Sequence, residues 1–361
     1  MKKEHILIIR FSAMGDVAMT VPVVHALATQ YPDLRITVLS RKPARPLFEN
    51  LAPNVDFMEA DLQEEYRGVQ GLNALYRRLT AKKFTKIADL HNVLRSDYLR
   101  MRFNLSRYRV EHVSKNRSLR RALVARKNKV FQPLPTTFER YAEVFAKLGY
   151  PVHLEFQSLF PPEGGDLTLL PAAIGQKKDA EQWIGIAPTA AYPVNCYPEG
   201  QMRKVVERLT TGHPHVRIFL FGSGQSEDRL FNEWCAAFPQ CVCVSRHLKD
   251  LRQELILMSH LDAMLSMDSP NMQLASLTGI PVVSVWGPTH PYAGFMGWQQ
   301  PAENAIQAEL DCRPCSIYGN RPCHRCDMAC MNMIKPEQII ERIEHIIYDY
   351  PRPTERCARQ G

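Results

Sequence analysis

No apolar run in this chain approaches the ~18 residues that a membrane span needs. Gly/Ser-rich and Gln-rich tracts are absent, which argues against extensive disorder. The opening MKKEHILIIRF has a basic start and a short apolar stretch, but Arg10 interrupts it and no small-residue cleavage site follows. It predicts a buried first strand and not a secretory leader. The expected location is therefore cytoplasmic, with peripheral contact at the inner face of the membrane allowed. A secreted disulfide framework does not suit a chain of 361 residues without a leader, although ten cysteines are present.

Net charge is +8, which by itself points to an anionic partner. Its distribution is uneven. Between Arg95 and Lys129 twelve Lys or Arg face only Asp97 and Glu111, a surplus of ten, so the rest of the chain is net −2. The strip is either a solvated helical face or a docking surface for an anionic acceptor or anionic headgroups. No nucleic-acid-binding motif accompanies it, so nucleic acid is not the expected partner.

Short apolar runs alternate with helical patterns. HILIIRF (5–11), RITVLS (35–40), VDFMEA (55–60), KIADLH (86–91) and RYRVEHV (107–113) read as strands. Helices are expected over 17–31 and 139–150. Residues 161–180, rich in Pro, Gly and charge, read as a linker. The rhythm restarts with WIGIAP (183–188), RIFLFG (217–222), CVCVS (241–245), AMLSMD (263–268) and VVSVWG (282–287). A helix is expected over 269–278, and an amphipathic one over 334–350. Continuous apolar strands between helices predict parallel α/β sheets covered on both faces. Two such domains place ligands at the carboxyl ends of their strands.

The loop after the first strand carries Ser12, Met14, Gly15 and Asp16. Gly15 suits a left-handed turn close to a ligand. Asp16 reads equally as a helix N-cap or as a carboxylate that accepts a proton from an attacking hydroxyl. His91 and Arg95 stand after the fourth strand, where an anionic acceptor would sit, or in an ordinary helix-start loop. In the second half Thr189, the Gly222-Ser223-Gly224 turn and Asp268-Ser269 with Asn271 follow strand ends. A dinucleotide fingerprint would need Gly where Glu227 stands, and that carboxylate would repel a pyrophosphate.

In combination these motifs resemble glycosyltransferase family 9, the lipopolysaccharide heptosyltransferases. The carrying residues are Arg10-Phe11-Ser12-Ala13-Met14-Gly15-Asp16 with Thr20-Val21-Pro22, Tyr197-Pro198, and Phe221-Gly222-Ser223-Gly224. Met267-Asp268-Ser269 with Leu274-Ala275-Ser276, Val285-Trp286-Gly287-Pro288-Thr289 and Cys312-Arg313-Pro314-Cys315 complete them. The resemblance spans about residues 5–349. It implies a GT-B fold: two Rossmann-like domains facing across a cleft, with the C-terminal helix returning to the first. Domains are expected over 1–165 (acceptor), 181–335 (nucleotide sugar) and 336–350 (crossing helix).

The resemblance also implies inverting, metal-independent transfer from a nucleotide-diphosphate sugar, typically ADP-heptose, to an anionic glycolipid acceptor. Asp16 matches the general base. Ser12, Met14, Gly15, His91 and Arg95 fall on the acceptor side. Thr189, Asn195, Gly222, Ser223, Gly224, Asp268, Ser269, Asn271 and Gln273 fall on the donor side. Three of the family's donor positions differ here. Asn195 stands where Lys is usual, Gln273 where His is usual, and Pro270, which has no N–H, where a small residue is usual. These changes leave open a donor held by Arg203, Lys204 or another residue. They also leave open a degenerate member that binds glycan or nucleotide without transfer. A nicotinamide oxidoreductase is disfavoured by the incomplete glycine motif.

Five cysteines crowd one loop: Cys312, Cys315, Cys323, Cys326 and Cys330. The spacing leaves a structural zinc, reduced packing thiols and a disulfide open. The family pattern resembles the quartet Cys312, Cys315, Cys323 and Cys330, with Cys326 extra. No cofactor is expected to be required for catalysis.

Overall fold

The computed structural model describes residues 4–349. Contacts divide the chain into two units. One takes residues up to 117 together with 135–157, the other 118–134 together with 158 onward.

The first unit is built on five parallel strands in the order β3-β2-β1-β4-β5. They are β1 His5–Ile9, β2 Arg35–Ser40, β3 Val55–Glu59, β4 Lys86–Asp89 and β5 Arg109–His112. The central β1 is buried throughout, as its unbroken apolar run requires, and pairs in register with β2 and β4. The edge strands β3 and β5 carry charges on partly exposed positions, which discourages further pairing. Leu72, Leu75, Leu79, Leu99 and Phe103 from two helices cover Leu7, Ile9 and Leu39 of the sheet.

The second unit repeats the plan with six parallel strands, β11-β10-β9-β6-β7-β8. They are β6 Gln182–Ala187, β7 Val216–Leu220, β8 Cys241–Cys243, β9 Ala263–Met267, β10 Val282–Trp286 and β11 Ala305–Gln307. In both sheets the chain steps outward from the first strand and then restarts on its other side. That is the Rossmann-like order, with its switch point between β6 and β9 in the second unit.

Ten strands match the expected runs to within a few residues. β11 is the strand not anticipated; three residues at an edge leave no periodic pattern. The helix expected over 17–31 is two helices, Met14–Ala18 and Val21–Gln30. Pro22 has no N–H to give the carbonyl of Ala18, so the first helix cannot run on. The helix expected over 139–150 starts earlier, at Thr137, because Thr136 and Glu139 form a reciprocal cap.

Residues 161–180 are not a free linker. Gly165 N donates to Ser259 Oγ at 2.8 Å, and Lys177 pairs with Asp262 at 2.5 Å, so this segment packs on the second unit. The closing helix Pro336–Glu344 lays Ile339, Ile340 and Ile343 into the second core. Its contacts assign it to the second unit; residue 350 of the expected segment lies outside the described residues.

Candidate functional site

Asp16 lies inside the helix Met14–Ala18, whose N-cap is Ala13, so it is not the capping residue. Its carboxylate is instead held by a cation: Arg10 Nη2 lies 2.5 Å from Asp16 Oδ2. Arg10 is fixed in turn by donating from Nη1 to the carbonyl of Leu90 at 2.7 Å. Tyr141 donates to the backbone carbonyl of Asp16 at 3.4 Å. The Asp16 side chain keeps 29% of its surface exposed, which leaves it open to a reactant. Gly15 is helical and buried, so the left-handed turn expected of it is not formed. Met14 opens the same helix, half-buried.

Beyond β4 the chain turns on Asp89. Its fully buried carboxylate accepts the N–H groups of His91 and Asn92, each at 2.9 Å, and pairs with Arg100 at 3.1 Å. His91 is thereby brought beside the first loop, its Nε2 3.4 Å from Ser12 Oγ. Burial pushes the imidazole down to about 3, and Arg10, Lys115, Arg41 and Arg95 act in the same direction. Its Nδ1 is buried without a hydrogen-bond partner. Arg95 is exposed in the first turn of the helix Leu94–Leu105. Ser12, Asp16, His91 and Arg95 thus gather at the carboxyl ends of β1 and β4. Lys115 and Arg41 join them without having been singled out in the sequence.

In the second unit Thr189, Gly222 and Asp268 follow β6, β7 and β9, three neighbouring strands. The carboxylate of Glu227 occupies the glycine turn. Thr189 Oγ1 donates to it, and a Cβ on Gly222 (φ +152°) would lie 2.6 Å from Glu227 Oε1. Ser223 and Gly224 are exposed beside it. Ser269 bonds Ser266 through their hydroxyls at 3.0 Å, while Asp268 and Asn271 are half-buried.

Asn195 and Gln273 both turn their amides to backbone carbonyls. Asn195 is 3% exposed and gives Nδ2 to the carbonyl of Tyr318 at 3.2 Å. It fills the space a side chain at Gly319 would need. Gln273 gives Nε2 to the carbonyl of Phe295 at 3.0 Å. Arg203 and Lys204 have partners of their own. Arg203 lies against Phe238 with Glu233 3.9 Å away, and Lys204 lines a groove with Glu207, Glu337 and Glu341.

The basic strip is not one surface. It changes unit between residues 117 and 118. Arg120 is buried, and Lys129 donates to the carbonyls of Asp311 and Arg313 at 2.9 Å each. Cys312, Cys315, Cys323 and Cys330 line one cavity while Cys326 is exposed. All are free thiols. Among the described residues no three His, Cys, Asp or Glu side chains are gathered to hold an ion. Nor is any helix among them long and apolar enough to cross a membrane.

No curated protein matches the chain. Among solved structures it is similar to a glycosyl transferase family 9 protein from Veillonella parvula DSM 2008, at 18% identity over 97% of this chain and 98% of that one, TM-score 0.71. The ADP-heptose lps heptosyltransferase II of E. coli follows at 19% identity, with 96% and 99% covered and a TM-score of 0.68. The E. coli heptosyltransferase WaaC with ADP gives 18%, 94% and 99%, and 0.64. At these identities the likeness shows the GT-B fold of two Rossmann-like domains. The family model described as glycosyltransferase family 9 (heptosyltransferase) matches residues 72–322, and this chain, a glycosyltransferase, belongs to that family.

Proposed function

We propose that this glycosyltransferase moves heptose from ADP-heptose to an anionic glycolipid acceptor with inversion and without a metal. The observation that carries the reading is Asp16, an accessible carboxylate fixed by Arg10 at the carboxyl end of β1. The acceptor hydroxyl gives its proton to Asp16 as its oxygen attacks the anomeric carbon. The bond from that carbon to the diphosphate oxygen breaks, ADP leaves with the electron pair, and the configuration inverts. Asp16 then returns its proton to water.

Arg41, Arg95 and Lys115 around neutral His91 supply the positive field for the acceptor's anionic groups. The helix Leu94–Leu105 adds a surface for the membrane that bears such an acceptor. Leu94, Met101 and Leu105 are 88%, 48% and 74% exposed among Arg95, Arg102 and Arg107. Glu227 supports the nucleotide side. A carboxylate at the glycine turn that accepts a hydroxyl in this structure is suited to accept those of a ribose.

The test is release of ADP from ADP-heptose in the presence of glycolipid, by the wild type and by Asp16→Asn. The second reading, binding without transfer, is favoured by the withdrawal of Asn195 and Gln273 onto backbone carbonyls. ADP binding with no turnover on any acceptor would support it. The cysteines are read as reduced thiols packing the loop 312–330. A metal-to-protein ratio near zero supports this, and a ratio near one assigns the quartet as a tetrathiolate site.

A further inference from the structure

Asn195 and Gln273 stand beyond neighbouring strands β6 and β9, at the switch point where an open parallel sheet receives its ligand. Both are uncharged, and both turn to backbone carbonyls, those of Tyr318 and Phe295. The rings of these two residues lie 5.6 Å apart. One guanidinium lies against both: that of Arg120, 5.1 Å from the Phe295 ring centre and 5.6 Å from that of Tyr318.

Arg120 arrives on the segment 118–134, which packs with the second unit although the chain on either side of it belongs to the first. The residue is more than nine-tenths buried, at 8% exposure. Nη1 donates to Tyr318 Oη at 2.5 Å, and Nε is buried without a partner. No carboxylate pairs with it among the described residues. Burying a cation without a counter-charge is costly, and two ring faces and a phenol offset only part of that. Two other cations of this unit are committed elsewhere. Arg313 donates to the carbonyls of Gly287, Trp286, Thr289 and Ala308, and Lys129 to two more. The phenol over Arg120 belongs to a residue that is itself 46% exposed, so its displacement does not disturb the core.

We propose that Arg120 is the cation that receives the donor's diphosphate in this chain, replacing the charge absent at Asn195 and Gln273. The inference rests on the nucleotide-sugar reading and adds the residue that holds the phosphates. A guanidinium presents two parallel donors to a phosphate, which an amide cannot do with charge.

Calorimetric titration of the full chain with ADP and with adenosine tests it. Arg120→Gln is expected to weaken ADP by about 10- to 100-fold and to leave adenosine unchanged. Arg120→Lys falls between. Tyr318→Phe, which keeps the ring and frees the guanidinium, tightens ADP about threefold. A folded Arg120→Gln with wild-type ADP affinity overturns the proposal, as does an equal loss for ADP and adenosine. Should Arg120→Gln not fold, an unchanged ADP affinity in Tyr318→Phe overturns it. A wild type that binds no ADP removes the nucleotide reading itself, a result distinguishable from the failure of Arg120 alone.

Discussion

Arg10 and Asp16 form an ion pair of 2.5 Å across the turn from β1 to the first helix. Arg10 is anchored to the Leu90 carbonyl, so the pair ties the first loop to the end of β4. Arg10→Gln is expected to lower kcat about tenfold or more by loosening the carboxylate, with ADP affinity unchanged. Steady-state kinetics with separate ADP titration check this. An unchanged kcat would remove the positioning role.

Glu227 is the second handle on the proposed donor side. Glu227→Ala should weaken ADP about tenfold and abolish any preference for ADP over 2′-deoxy-ADP. Competitive titration of the two nucleotides gives the answer, and a preference that survives in the variant would show that the ribose is read elsewhere.

His91 makes stability depend on pH. Its value in the folded chain is about 3, while an unfolded chain titrates near 6.5, so between these the unfolded state binds the extra proton. Its effect is absent above about pH 6.5, and stability falls as pH falls toward 3. At pH 5 the loss is about 2 kcal/mol. His91→Gln should shrink the difference in unfolding free energy between pH 7 and pH 5 by about that amount, measured by urea denaturation.

Arg313 holds the start of the cysteine loop. Its guanidinium reaches the carbonyls of Gly287, Ala308, Trp286 and Thr289 and the amide oxygen of Gln307. Arg313→Met leaves these acceptors without a donor and should destabilise by about 3 kcal/mol, lowering Tm by about 6–12 °C. A Tm within 1–2 °C of wild type would mean that water replaces the guanidinium, about the size of a surface substitution.

The architecture was legible because parallel strands buried on both faces leave unbroken apolar runs, as in HILII and VVSVW. Asp16 was legible as a candidate because it follows such a run by a few residues. The proposed donor side was not. Asn195 is placed by Tyr318 and Gly319, and Arg120 by Phe295 and Tyr318, partners more than a hundred residues away that no local spacing encodes. Arg95–Lys129 is one strip in charge alone, whereas the fold splits it between units and buries Arg120. Glu227 reads as a repulsive charge from spacing alone, because the Thr189 hydroxyl it accepts lies 38 residues away.

The most direct test is the rate of ADP release from ADP-heptose with glycolipid acceptor, wild type against Asp16→Asn. Turnover by the wild type is expected, with kcat lower by about 10²–10⁴-fold in Asp16→Asn at unchanged ADP affinity. Wild-type kcat in Asp16→Asn would contradict a general base at Asp16.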